Sequence, residues 1–217
     1  MVIALLAAPV TAQEFFTLNG HGGPIMDIAV SPSGQVATAS FDNSVGVWDG
    51  VQPRWLEGHR AAVNTVTFWD NTTLVSGGDD FDLWHWSESS AEGRKLASHT
   101  AKITDIAIAP DSVTIASSSW DATIGVHTGG ATQSLKGHRS GVNALAFNAD
   151  GKVIYSASVD GTIRSWRYTE VPMVSNVMVK HGFGINELIV TDEWLAYGAT
   201  DGGTRMIDLE TGAQIAD

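Results

Sequence analysis

Short alternations of apolar and polar residues recur along the chain and are separated by small or turn-forming residues. Four of them lie a few residues after a histidine, at 25–30, 63–68, 103–108 and 142–147. Apolar side chains at every second position are typical of a strand with one buried face. The intervening segments, such as 31–34 and 148–151, are rich in Ser, Pro, Asn, Asp and Gly, which favour tight turns. The pattern predicts an all-β chain of short antiparallel strands.

Three positions repeat together with a period of about 40 residues, which is typical of propellers and other repeat architectures. The histidines are His21, His59, His99, His138 and His181. The aspartates, 20–22 residues further on, are Asp42, Asp80, Asp121, Asp160 and Asp201. Six residues after each aspartate stand Trp48, Trp86, His127, Trp166 and Ile207. The chain therefore contains five units of one repeat.

This repeat resembles the WD-repeat β-propeller family, in which each unit forms a four-stranded blade around a central axis. The resemblance covers residues 13–217 and implies repeats at about 20–57, 58–97, 98–136, 137–179 and 180–217. In the family, the N-terminal segment supplies the outer strand of the last blade, a position that residues 15–18 would take here. A further outer strand is expected at residues 213–215. One outer strand is then surplus, so we expect five blades in an incomplete ring.

The resemblance also implies a hydrogen-bonded chain in each blade, formed by the histidine, a Ser or Thr four residues before the aspartate, the aspartate and the tryptophan. Complete sets are His21, Thr38, Asp42 and Trp48; His59, Ser76, Asp80 and Trp86; and His138, Ser156, Asp160 and Trp166. The third repeat has His99, Ser117 and Asp121 but carries His127 instead of Trp. The fifth repeat has Tyr197 in place of the Ser or Thr and Ile207 in place of the Trp, so its hydrogen-bonded network is expected to be interrupted. Such a network fixes the register of a blade when every buried polar group is paired.

The loops that carry the histidines and aspartates are expected to lie on one face, where propellers of this family bind partners. Residues beside these positions are Phe41, Arg60, Trp120, Arg139 and Phe183, and we call them the contact patch. Exposed aromatic and Arg side chains contribute much of the binding energy at protein interfaces. The contact patch is therefore predicted to bind a protein partner; the alternative is ordinary packing of the loops.

Composition narrows the remaining functions. Asp and Glu number 24 against 12 Lys and Arg, and the net charge of −12 disfavours nucleic acid as a partner. The absence of Cys excludes disulfides, thiolate metal sites and haem attachment within this sequence. No catalytic pattern stands outside the repeat, and the histidines, one per blade, are too dispersed for a metal site. We predict a non-catalytic scaffold for protein partners, without cofactor or metal.

The first twelve residues, MVIALLAAPVTA, form an apolar run that ends in small residues. The run is too short to cross a membrane and has the length of a signal-peptide core. It predicts a clipped export signal at 1–12 and a periplasmic protein without a membrane span, or a cytoplasmic one if the run is no signal. The chain also resembles the N-terminal part of exported bacterial WD-repeat proteins, some of which are fused to a c-type cytochrome domain. This resemblance implies an alternative function, as the propeller module of a periplasmic redox protein whose c-type cytochrome domain lies beyond this chain. Open sheet edges of an incomplete ring also favour self-association.

Overall fold

The computed structural model describes residues 17–87, 90 and 92–216, and within them it contains twenty β-strands and no helix. The predicted export signal at 1–12 lies outside the described residues. The strands form five four-stranded antiparallel sheets, each built from four consecutive strands. The prediction of an all-β fold with five four-stranded blades is confirmed.

The strands of each blade are numbered in chain order. The first blade has β1 (Ile25–Val30), β2 (Val36–Ser40), β3 (Val45–Asp49) and β4 (Gln52–Leu56). The second has β5 (Val63–Phe68), β6 (Thr73–Gly78), β7 (Asp82–Ser87) and β8 (Arg94–Ser98). The third has β9 (Ile103–Ile108), β10 (Ile115–Ser119), β11 (Thr123–Thr128) and β12 (Ala131–Lys136). The fourth has β13 (Val142–Phe147), β14 (Ile154–Ser158), β15 (Thr162–Arg167) and β16 (Val174–Lys180). The fifth has β17 (Ile185–Val190), β18 (Trp194–Ala199), β19 (Thr204–Asp208) and β20 (Gln214–Ala216).

The turn between the second and third strands of every blade uses the residue after the repeated aspartate in a left-handed conformation. These residues have φ angles between 68° and 86° and are Asn43, Phe81, Ala122, Gly161 and Gly202. Glycine adopts this region without strain, whereas a side chain makes it unfavourable. Each turn reverses the chain tightly and leaves the aspartate side chain at the start of the turn.

Consecutive blades pack through their first and second strands, and β1, β5, β9, β13 and β17 contact one another in chain order. Between the first two blades, Ala37 and Ala39 pack against Val63 and Val66 in one buried cluster. Polar side chains also join the inner strands. The donors are Asn64, Thr104 and Asn143, and the acceptors are the carbonyl oxygens of Ile103, Val142 and Ile185 in the following blade, at 2.6–2.9 Å. Apolar packing and hydrogen bonds between the inner strands thus both connect consecutive blades.

No comparable strand contact joins the first blade to the fifth within the described residues. Ile28 and Val30 on β1 are 61% and 64% exposed, whereas Val66, which occupies the position of Ile28 in the second blade, is 2% exposed. The apolar face that the other blades bury against a preceding blade is open on the first blade. We call this surface, formed by Ile25, Ile28 and Val30, the open face.

The predicted N-terminal outer strand at 15–18 is wrong for the residues that are described. Thr17 and Leu18 belong to no strand, and Phe15 and Phe16 lie outside the described residues. Each sheet takes its outer strand from its own repeat, and β20 is the outer strand of the fifth. The described part of the chain thus has five outer strands rather than six. Among the described residues, no helix is long and apolar enough to cross a membrane.

Candidate functional site

The first, second and fourth blades contain the same hydrogen-bonded chain of four side chains. In the fourth blade, His138 Nδ1 lies 3.1 Å from Asp160 Oδ2, and His138 Nε2 lies 2.7 Å from Ser156 Oγ. Trp166 Nε1 donates to the same Ser156 oxygen at 2.8 Å. Corresponding distances of 2.7–3.0 Å occur for His21, Thr38, Asp42 and Trp48, and for His59, Ser76, Asp80 and Trp86. In each of these three blades, the structure brings together the four side chains that the sequence predicted.

The pKa shifts of Asp160 and His138 indicate which of these side chains carries a proton. Burial by itself would raise the pKa of Asp160, but the Thr162 hydroxyl, the Arg139 backbone N–H and His138 together lower it to about 2. Burial lowers the pKa of His138, although Asp160 opposes the shift. A neutral His138 then donates a hydrogen bond from Nδ1 to the carboxylate and accepts one from the Ser156 hydroxyl at Nε2. Every side-chain polar atom of His138, Ser156, Asp160 and Trp166 has a partner, so this hydrogen-bonded network stabilises the blade.

The hydrogen-bonded side chains have the Asp–His–Ser order of hydrolase triads, but substrates cannot reach the serine. Ser156 is completely buried, and its oxygen already accepts a hydrogen bond from Trp166. A nucleophile has to reach the reacting atom of a substrate. The order of the three groups therefore carries a structural role in these blades. No group of three or more potential metal ligands occurs within the described part of the chain.

The third blade keeps the chain but replaces its tryptophan. His99 lies 2.9 Å from both Asp121 Oδ2 and Ser117 Oγ. His127 Nε2 lies 3.0 Å from Ser117 Oγ, where the other blades have the indole N–H. Its Nδ1 lies 3.0 Å from Thr132 Oγ1. Burial lowers the pKa of His127 to about 4, and the nearby His99 adds to this shift.

In the fifth blade, the aspartate has another partner. Asp201 pairs with Arg205 at 2.7 Å, while His181 Nε2 lies 3.7 Å from the carboxylate, beyond hydrogen-bond distance. The histidine instead contacts the ring of Tyr197, with 6.2 Å between the ring centroids. The four-membered chain of the other blades is not formed between these residues.

Sequence reasoning missed a fifth member of the chain in three blades. Ser44, Thr123 and Thr162 each donate a hydrogen bond of 2.6 Å to the aspartate two residues earlier. They also lie 3.1–3.3 Å from the Nδ1 atom of the blade's histidine. A Ser or Thr two residues after the aspartate recurs in the sequence and is the signal that would have identified them.

The histidine–aspartate pairs bring two loops of each blade together, and we call the surface formed by these loops the loop face. The contact patch contributes one residue to each blade: Phe41, Arg60, Trp120, Arg139 and Phe183, in chain order. All five are exposed. The backbone N–H groups of Arg60 and Arg139 donate to Asp80 and Asp160, at 3.1 and 2.8 Å. The loops are thus fixed while the two Arg side chains face solvent.

Trp120 is held in place although it is 52% exposed. Its Nε1 donates to Asn143 Oδ1 of the fourth blade at 3.2 Å. Lys102 Nζ lies 3.7 Å from the centroid of its ring, in a cation–π contact. A large aromatic side chain with a fixed orientation loses little conformational entropy when a partner binds. The Trp120 ring is thus both exposed and held by two contacts.

Comparison with known proteins identifies the repeat. The family WD40, described as WD domain, G-beta repeat, matches residues 12–49, 50–87, 91–127 and 129–167. Similar proteins include the DENN domain and WD repeat-containing protein SCD1 of Arabidopsis thaliana, 26% identical over 88% of this chain and 17% of its own length. Nuclear distribution protein PAC1 of Arthroderma otae is 30% identical over 78% of this chain and 42% of its own length. Protein groucho of Drosophila melanogaster is 25% identical over 88% and 28%, respectively. The chain thus spans less than half the length of these relatives.

Proposed function

Because the chain belongs to the WD40 family, described as WD domain, G-beta repeat, we propose that it is a non-catalytic scaffold that binds protein partners through its loop face. The observation that carries this proposal is the exposed but fixed ring of Trp120. Arg139 follows the fourth-blade histidine on the neighbouring loop, and Gly141 of that loop lies against the Trp120 ring. An aromatic anchor beside an Arg is typical of the energetic centre of a protein interface.

The charge distribution favours a partner segment that is apolar with acidic residues. Arg60, Lys102 and Arg139 lie on the loop face of a chain whose net charge is −12. The loop-face aspartates Asp80 and Asp160 are already paired with histidines. The exposed side chains of Arg60 and Arg139 are thus available to carboxylates of a partner, and such charge pairing also accelerates association.

The test of this proposal compares the proteins retained from an extract of the source cells by the wild-type chain and by two variants. Trp120→Ala removes the anchor. Val171→Ala is the matched control, because Val171 is 98% exposed but lies between β15 and β16, away from the histidine and aspartate loops. We expect proteins held by the wild type to be lost with Trp120→Ala and kept with Val171→Ala. Identical sets for all three chains would contradict the proposal.

We also propose that the open face of the first blade mediates self-association. Exposed apolar side chains at Ile25, Ile28 and Val30 form a contiguous surface on one strand, and such patches mark sites of association. Sedimentation velocity of wild type and Ile28→Glu at increasing concentration tests this. We expect the wild type to associate and the variant to remain monomeric. A monomeric wild type at every concentration would refute self-association.

Export and a downstream haem domain are two further proposals, and the second rests only on the resemblance to exported WD-repeat proteins that are fused to a cytochrome. The apolar run at 1–12 is the reason for export, and N-terminal sequencing of the protein from its native source tests it. A mature start near Gln13 supports cleavage, whereas a retained Met1 opposes it. The redox alternative predicts a Cys-x-x-Cys-His motif encoded downstream in the same reading frame, and its absence would exclude that alternative.

A further inference from the structure

The first blade contains an aromatic ring that has no counterpart in the third. In the first blade, Trp55 on β4 lies across from Gly46 on β3. Its ring is 5.9 Å from that of Trp48 and 4.7 Å from that of His21, both in edge-to-face contacts. A Cβ atom added to Gly46 would lie 3.0 Å from this indole, so the glycine provides the space that the ring fills.

The third blade provides the same space without the ring. Gly125 on β11 pairs with Ser134 on β12, in the register that pairs Gly46 with Trp55 in the first blade. His127 stands at the position of Trp48, so two indole rings are replaced by one imidazole and one hydroxymethyl group. A pocket of about 240 Å³ remains, with His99 and His127 among its lining residues. It is large enough for an aromatic ring.

The residue before the histidine limits the length of this ring. In the first blade, a Cβ atom at Gly20 would lie 2.8 Å from Cζ2 of Trp55. The corresponding residue of the third blade is Ser98, which has a Cβ atom and lines the pocket. An indole in the orientation of Trp55 would therefore collide with Ser98. A single six-membered ring, which is shorter, avoids this collision.

Polar groups surround the place of the missing ring. The two nitrogens of His127 are already bonded to Ser117 and Thr132. Ser134 and Lys136 also line the pocket and are exposed, and no hydrogen bond is found for either side chain within the described residues. A hydroxyl group on the ring would find a donor and an acceptor there. These groups favour a phenol over a plain benzene ring.

We propose that this pocket of the third blade binds one phenol-type ring, with the ring edge against His99 and the hydroxyl beside Ser134 and Lys136. The ring takes the place that Trp55 fills in the first blade. The ligand is either a small phenol or the side chain of a tyrosine in a partner, since both present the same group. This site does not depend on the contact patch, because it is lined by β11, β12 and the His99 loop.

The test is a ¹⁹F NMR titration of the full chain with 4-fluorophenol and, in a second series, with N-acetyl-3-fluorotyrosinamide. We expect saturable binding of at least one probe to the wild type. Ser134→Phe fills the pocket from β12 and is expected to weaken that binding at least tenfold. Ser134→Ala keeps the space and removes only one hydroxyl group, so it is expected to weaken binding by less than Ser134→Phe does. Tighter binding of the free phenol indicates a small ligand, and tighter binding of the tyrosine derivative indicates a protein side chain.

A measurement on the wild type makes the test independent of the folding of Ser134→Phe. The ring signals of His99 and His127 are expected to shift with the probe, while those of His138 in the fourth blade stay in place. His127→Trp, which restores the tryptophan of the repeat, provides a second filled pocket and is also expected to weaken binding. The proposal is overturned if neither probe saturates the wild type, or if the histidine signals of the third blade do not move.

Discussion

The turn aspartate of the complete blades accepts hydrogen bonds from three directions. Asp160 receives them from His138, from the backbone N–H of Arg139 and from the hydroxyl of Thr162. His138 and Arg139 lie on the incoming loop of the blade, whereas Thr162 lies on its third strand. The carboxylate therefore fixes the position of the loop relative to the turn, and its loss leaves several donors without a partner.

We expect Asp160→Ala to reduce the free energy of unfolding by about 1–3 kcal/mol, because buried donors are left unpaired. Urea unfolding of the variant and the wild type measures this difference. Asp201→Ala is the matched control at the same position of the fifth blade, where the carboxylate is bonded to Arg205 rather than to the histidine. A smaller loss is expected there. An effect of Asp160→Ala no larger than that of the control would contradict the assignment.

At the left-handed residue after the aspartate, we expect a substitution to increase the free energy of unfolding rather than to reduce it. Ala122 has a φ angle of 68°, whereas Gly161 and Gly202 occupy the same position in the next two blades. A left-handed conformation costs an L-residue about 1–2 kcal/mol, and part of this is offset by the greater freedom of glycine in the unfolded chain. We expect Ala122→Gly to stabilise the chain by up to about 1 kcal/mol in urea unfolding. Destabilisation by this substitution would show that the turn is not strained.

At the scale of the elements, the packing between blades depends on a small residue three positions before the aspartate. In the second blade this residue is Gly77, and an added Cβ atom would lie 2.5 Å from Cγ2 of Ile103 in the third blade. In the fifth blade it is Gly198, and an added Cβ atom would meet nothing within 4 Å. The two glycines have the same place in the repeat and differ in whether a following blade covers them.

We therefore expect Gly77→Ala to destabilise the chain by about 1–3 kcal/mol, the usual cost of overpacking a core. Gly198→Ala is expected to change the free energy of unfolding by less than about 0.5 kcal/mol, as at surface positions. Thermal and urea unfolding of the two variants provide the comparison. Equal effects would mean that the second and third blades do not pack as described.

Repeated residues were predictable from the sequence, and residues that differ between repeats were not. The spacing of His138 and Asp160 recurs in other units, and the resemblance to the WD-repeat family implied that the two side chains are hydrogen-bonded. The pocket of the third blade depends on Gly125 facing Ser134, which becomes visible only once β11 and β12 are paired in register. The outer strand expected at 15–18 was inferred from the usual arrangement in the family rather than from the residues, and Thr17 and Leu18 do not form it.

At the scale of the whole molecule, acidic residues on the inner strands connect neighbouring blades. Asp27 accepts the backbone N–H of Val66 in the second blade at 2.9 Å. Asp105 accepts that of Leu145 in the fourth blade at 2.8 Å. These bonds hold successive blades together, but they also place negative charges near one another at the centre of the fold.

This arrangement predicts how the stability of the molecule depends on pH. Burial raises the pKa of Asp105 to about 7, and the charges of Glu187 and Asp27 add to the increase, although the backbone N–H groups of Leu145 and Ile106 oppose it. The folded chain then binds a proton that the unfolded chain has lost. The resulting stabilisation is complete below the ordinary pKa of an aspartate, near 3.9, and is lost as the pH rises through about 7.

Asp105→Asn removes this titration, because an amide has no proton to lose in this range. We expect the wild type to lose stability between pH 5 and pH 8 relative to the variant, whatever constant difference the substitution causes through its altered hydrogen bonds. Buried His127 acts in the opposite direction as the pH rises from about 4, but it is present in both chains and cancels in the comparison. Urea midpoints at pH 5, 6, 7 and 8 measure the effect. Parallel curves for the two chains would show that Asp105 titrates as an ordinary carboxyl group, and that the centre of the fold is open to water.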